Sequence, residues 1–202
     1  MKLFGVGLLV CGLVGCGSSS SGGKGGGAGG GAGGGSSNCG GAVKNPPNLV
    51  PNPGFECGTQ GWSEQSGTLT AVTDARTGSQ SGKLVATGTV PAGKFAFTVP
   101  IVPSTSGKTY CAQAYLKGTV ADAQLSVLED KNGSVVDYTF STPVGSGTWV
   151  RTPPSTNLEV RAGVGSKLYV RLVMRTPLAD ATLFVDDVDV WESTDGLCKE
   201  TR

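Results

Sequence analysis

The sequence predicts an all-β protein, a β-sandwich or jelly roll, on three observations. After Gly41 no helix-length window carries apolar residues at helical spacing. Period-two runs occur instead, broken by turn residues roughly every 8 to 12 positions. Asn132-Gly133 separates two of these runs, a strong hairpin signal because a type I′ turn requires positive φ at both central residues.

In chain order the expected strands are Leu49–Phe55, Leu69–Thr73, Lys83–Ala86, Phe95–Val102, Tyr110–Lys117, Ala123–Leu128, Val135–Phe140, Trp149–Thr152, Leu158–Val160, Lys167–Met174 and Leu183–Trp191. That many short strands in one domain's length of chain fit two packed sheets. Alternation sorts the faces. In KLYVRLVMR, Leu168, Val170, Leu172 and Met174 point to the core, leaving Lys167, Tyr169, Arg171, Val173 and Arg175 opposite. In YCAQAYLK, Tyr110, Ala112, Ala114 and Leu116 oppose Cys111, Gln113, Tyr115 and Lys117. Two strands therefore each present a face mixing Tyr with hydrogen-bonding side chains. Such a face is either an ordinary polar exterior or a sugar-binding surface made by Gln113, Tyr115, Tyr169 and Arg171, if these lie on neighbouring strands of one concave sheet.

The last strand, LFVDDVDVW, poses a problem of its own. Simple alternation places Leu183 and Val185 on one face and Val188 and Val190 on the other. A bulge at Asp186-Asp187 would return all four to the core and turn one carboxylate inward, where it needs a partner. A catalytic reading of Asp187 and Asp189, whose carboxyls would lie about 6–7 Å apart, is disfavoured because glycosidase pairs on such strands are normally Glu in a deep cleft.

The amino terminus, MKLFGVGLLVCGLVGC, has a basic start and an apolar stretch too short to span a membrane. Leu13-Val14-Gly15-Cys16 resembles the lipobox of bacterial lipoproteins, which implies acylation at Cys16; a plain secretory signal and a cytoplasmic chain are the alternatives. Gly17 in place of Asp implies, in Gram-negative lipoproteins, sorting to the outer membrane. The Gly/Ser-rich segment that follows reads as a flexible tether spanning roughly 25–30 Å. The expected organisation is a signal peptide over 1–15, a lipidated tether over 16–44 and one domain over 45–202.

Charge excludes some partners. With 16 Lys and Arg against 15 Asp and Glu, nothing suggests nucleic acid or an anionic membrane face. No histidine is present, which removes Ser-His-Asp and Cys-His relays and His-ligated metals. Of the 6 cysteines, Cys11 belongs to the signal and Cys16 to the lipid; Cys39, Cys57, Cys111 and Cys198 remain, an even set that in an exported chain reads as two disulfides with three connectivities open.

Asn48-Leu-Val-Pro-Asn-Pro-Gly-Phe-Glu56, Gly61-Trp62, Ser81-Gly-Lys-Leu84, Thr109-Tyr110 and Val185-Asp-Asp-Val188, in this order, resemble the CenC-type carbohydrate-binding modules. The resemblance implies a galactose-binding-like jelly roll with first and last strands paired. It also implies a structural calcium, with Asp186 and Glu56 as acids and backbone carbonyls near Gly54 and Gly82; hydrogen bonding of the acid to loop amides without metal is the alternative. Pairing of the first and last strands would bring Cys39 to Cys198 and leave Cys57 for Cys111. One departure concerns the ligand: no aromatic follows the Gly-Trp, and Trp62, Trp149 and Trp191 read as core or strand-edge residues rather than platforms. Together with the lipobox the resemblance implies a non-catalytic carbohydrate-binding lipoprotein, expected to be a monomer. A structural or protein-interaction module without sugar affinity is the alternative, and an enzyme the third reading.

Overall fold

The computed structural model describes residues 39, 44–91, 95–119, 122–132, 134–140, 147–153, 158–161, 163–164 and 167–199. The expected signal peptide, Cys16, nearly all of the tether and Gly133 lie outside them. All the described residues belong to the unit Ser36–Arg202.

Among the described residues eleven strands form two antiparallel sheets: β1 Ser63–Gln65, β2 Gly67–Val72, β3 Ser81–Ala86, β4 Phe95–Pro103, β5 Thr109–Gly118, β6 Ala123–Lys131, β7 Ser134–Phe140, β8 Val150–Thr152, β9 Leu158–Arg161, β10 Lys167–Met174 and β11 Thr182–Glu192. One sheet runs β1-β4-β10-β6-β7; the other runs β2-β3-β11-β5-β8, with β9 also pairing β5. Strands β3, β5, β6 and β10 give alternate side chains to the layer between the sheets. Leu168, Val170, Leu172 and Met174 of β10 enter it, as do Tyr110, Ala112, Ala114 and Leu116 of β5, as alternation requires. At one end of this core Trp62 stacks on Phe55 at 4.6 Å and both meet Phe97 edge-on. Gly82 permits this: a Cβ there would lie 2.3 Å from Cζ of Phe55.

Two expectations are corrected. Leu49–Phe55 is not a strand. Pro51 and Pro53 have no N–H to give a ladder, and Asn52 and Phe55 have φ of 51° and 59°. The segment still follows β11, but through isolated bonds, Leu49 N–H to the Val190 carbonyl at 2.7 Å and Val188 N–H to the Pro53 carbonyl at 3.0 Å. The disulfides are Cys39–Cys57 and Cys111–Cys198, not Cys39–Cys198 and Cys57–Cys111. The reason lies in register. Trp191 pairs with Cys111, and the chain after β11 folds back at Ser193, whose N–H meets the Thr109 carbonyl, so Cys198 returns to β5. Cys39 instead meets the turn that follows Phe55.

Candidate functional site

The bulge in β11 organises the surroundings of its acids. Asp186 pairs with Tyr115 and Asp189 with Gln113, so two residues of β11 oppose the single Ala114, and Asp187 takes φ 48°. Leu183, Val185, Val188 and Val190 consequently all reach the core, as the conflict of phase predicts. The three aspartates are shared among three different segments. Asp186 is fully buried, yet on the outer side of its sheet rather than in the core; the loop 73–80 covers it. Its Oδ2 accepts the backbone N–H groups of Arg76 and Thr77 at 2.7 and 3.2 Å, and its Oδ1 that of Asp187 at 2.8 Å. Asp187 turns outward and accepts from the Arg76 guanidinium at 2.6 Å and the Thr77 hydroxyl. Asp189, also fully buried, accepts from Lys44 Nζ at 2.7 Å and from Gln113. The two acids of the catalytic reading, Asp187 and Asp189, thus have separate sets of partners.

Burial and the neighbouring charge of Asp187 push the Asp186 carboxyl up to about 6, against the pull of its three backbone N–H donors. Glu56 behaves oppositely. The Ser79 hydroxyl and the N–H groups of Ser79 and Gln80 hold its carboxyl below the usual value. Carboxylates therefore hold the loop at two places, Asp186 at its middle and Glu56 at its carboxyl-terminal end.

The Asp186 carboxylate and the aliphatic stem of Glu56 flank Gly54. A Cβ at that position would lie 3.3 Å from Oδ1 of Asp186 and 4.0 Å from Cγ of Glu56. A calcium ion at this point would find the Asp186 carboxylate in place, whereas that of Glu56 is turned to Ser79 and Gln80. Among the described residues no three Asp, Glu, Cys or His side chains cluster, so carbonyl oxygens would have to complete the coordination. Gly82 has a packing role against Phe55.

The expected sugar face is split, which corrects its placement on a single sheet. Gln113 and Tyr115 stand on β5 in the six-stranded sheet, Tyr169 and Arg171 on β10 in the five-stranded one. Alternation assigns a residue to a face but not a strand to a sheet. Gln113 is buried, accepting from Arg151 at 2.7 Å and donating to Asp189. The ring of Tyr115 carries the Arg76 guanidinium 3.4 Å from its centroid. On the other sheet Arg171 is half-buried, donates to Gln65 at 2.6 Å, and is pulled below its usual pKa by desolvation. Register places Ser63, Thr98, Arg171 and Ser126 in one row across β1, β4, β10 and β6, with Tyr169 two residues along from Arg171.

Sequence reading did not find Arg76, Lys44 or Arg151 as organisers of this region. Arg76 lies in a turn-rich loop with no periodic signal, and Lys44 and Arg151 owe their roles to contacts distant in sequence. Asn48 and Asn52 were legible as part of a motif but not in their roles. Asn48 Oδ1 accepts from Val50 and Val190, and Asn52 accepts from Cys57 while its carbonyl takes the Trp62 indole.

No family model matches the chain, and no curated protein does. Solved structures do resemble it. The CBM22-1 xylan-binding domain of Paenibacillus barcinonensis Xyn10C is 22% identical with a TM-score of 0.51, covering 69% of this chain and 90% of that one. A CBM4 domain is 16% identical with a TM-score of 0.51, covering 69% and 99%. The enzymatically active domain of bacteriophage CBA120 tailspike protein 4 is 18% identical with a TM-score of 0.53, covering 72% of this chain but only 21% of that one. The chain spans about a fifth of the tailspike domain and nearly the full length of the two binding modules. Its fold is a β-sandwich jelly roll of two antiparallel sheets, an architecture shared with these two modules.

Proposed function

We propose that this domain is a non-catalytic, CenC-type carbohydrate-binding module carried by a lipoprotein. It takes a polysaccharide strand across the outer face of the five-stranded sheet. The observation that carries the reading is the row Ser63, Thr98, Arg171 and Ser126 beside Tyr169. Hydroxyls and a guanidinium suit sugar hydroxyls, and a tyrosine ring two residues away suits the apolar face of a pyranose. The fold likeness supports the ligand class. A screen of the domain against neutral polysaccharides on affinity gels, with Tyr169→Ala and Arg171→Ala, tests it. Retarded wild type and weakened variants, by roughly 1–2 kcal/mol each, are expected. Identical mobility of all three proteins on every polymer would overturn it.

Structural calcium held by Asp186 and Glu56 near Gly54 belongs to the same proposal. When bound, the ion supplies positive charge beside the Asp186–Asp187 pair. Acylation at Cys16 is the anchoring half of the proposal, supported by the lipobox alone. Cys16→Ser should move the full chain from the membrane fraction to the soluble one, and retention at the membrane would refute it.

A further inference from the structure

We propose that the outer surface of the six-stranded sheet around Trp149, Phe184, Lys83 and Lys117 is a second binding surface, one that takes an acidic polysaccharide bearing uronate carboxylates. Register lines these residues up. Thr70 of β2 pairs with Lys83 of β3, Lys83 with Phe184 of β11, and Phe184 with Lys117 of β5; Trp149 immediately precedes Val150, which pairs with Leu116. The result is a row crossing the whole sheet in which cations and rings alternate. Lys117 Nζ lies 4.4 Å from the centroid of Phe184 and 5.0 Å from that of Trp149, and Lys83 Nζ lies 5.7 Å from Phe184. The two rings meet edge-on at 6.4 Å.

Two features separate this row from ordinary exterior. The neighbours of Phe184 on its strand, Leu183 and Val185, already fill the core, so its ring is an apolar group turned outward. The adjacent row, Tyr115 and Asp186, is covered by the loop 73–80, whereas Lys83, Phe184 and Trp149 remain half-exposed beside exposed Thr70, Gly147 and Thr148. Charge then selects the occupant. Asp74 neutralises Lys117 at 2.5 Å, but among the described residues no carboxylate pairs with Lys83. An accessible indole, a phenyl ring and an uncompensated ammonium suit a pyranose ring that carries a carboxylate. The choice of a sugar rests on the carbohydrate reading above, but the two faces carry different residues and can be tested separately.

The test is calorimetric titration of the full domain with a short oligogalacturonide and with its methyl ester, which keeps the backbone and removes the charge. Wild type should bind the acid form, and raising the salt concentration should weaken the binding. Lys83→Met and Trp149→Ala should each weaken it roughly threefold to tenfold, while Arg171→Ala stays within about twofold of wild type. Lys83→Met keeps the aliphatic stem, so it remains informative if Trp149→Ala folds poorly. The proposal is overturned by any of three results: no binding of the acid form, equal binding of acid and ester, or binding that is lost with Arg171→Ala and kept with Lys83→Met. Failure of Tyr169→Ala and Arg171→Ala to affect neutral polysaccharides would instead remove the first site and leave this one standing.

Discussion

The fully buried carboxylate of Asp186 accepts the backbone N–H of Arg76 at 2.7 Å, so a residue of the last strand fixes a loop far from it in sequence. Removing that acceptor takes a hydrogen bond from the N–H groups of Arg76, Thr77 and Asp187, and a hydrogen bond to a charged group contributes about 1.5–3 kcal/mol. Asp186→Ala should lower stability by about 2–4 kcal/mol in urea, with an unchanged m-value. Calcium would add to this by mass action, about 2.7 kcal/mol at a hundredfold excess over its dissociation constant. Chelator should then lower the melting temperature of the wild type and not that of the variant. Equal melting of the wild type with and without chelator would leave the amides as the sole partners.

The same carboxylate makes stability depend on pH. Its folded value of about 6 lies above the unfolded value near 3.9, so the folded state binds the proton more tightly. The contribution is fully present below about pH 4 and is lost as pH rises through about 6. Glu56 acts in the opposite sense, its contribution being lost as pH falls below 4.5. With metal chelated, wild type should lose stability relative to Asp186→Asn between about pH 4 and pH 6.5, by at most about 3 kcal/mol, and the difference cancels Glu56. A gap that does not change with pH would mean that Asp186 titrates normally.

Non-reducing peptide mapping should recover Cys39 linked to Cys57 and Cys111 linked to Cys198. The two bonds close stretches of 18 and 87 residues. On the chain-entropy account these are worth about 3.2 and about 4.6 kcal/mol. Cys198→Ser should therefore destabilise more than Cys57→Ser; the reverse order would show that the shorter bond holds something beyond entropy.

Gly82→Ala tests the packing of Phe55. The added methyl must displace a ring in the aromatic cluster, and such overpacking costs about 1–3 kcal/mol. Combining it with Phe55→Leu should recover part of the loss, which a thermodynamic cycle measures directly. Strict additivity of the two substitutions would mean that Gly82 and Phe55 do not share the space.

What could be read from the sequence was what periodicity controls. Ten of the eleven expected strands are present, and the bulge follows from the phase conflict between Leu183-Val185 and Val188-Val190. Leu49–Phe55 misled because its apolar spacing resembles a strand while its prolines forbid the ladder. The short β1 carries no apolar alternation, only Ser-Glu-Gln, and was not anticipated. Sheet membership, and with it the division of Gln113 and Tyr115 from Tyr169 and Arg171, depends on long-range pairing that no local pattern encodes. The disulfides failed for a related reason: strand pairing suggested which ends are neighbours but not that the tail reverses after Glu192.

The Cys39–Cys57 bond has a mechanical consequence. Tension arriving along the chain from before Cys39 does not first peel Lys44, Asn48 and Leu49 away from β11, although these contacts come next in sequence. The covalent bridge passes the load directly to Cys57, beside the stacked Phe55 and Trp62, and leaves the intervening segment slack. In an oxidised domain pulled from its amino-terminal side the load should therefore enter at Cys57, whereas in a reduced one it should reach the Lys44–Asp189 ion pair first among the described contacts that join this segment to β11.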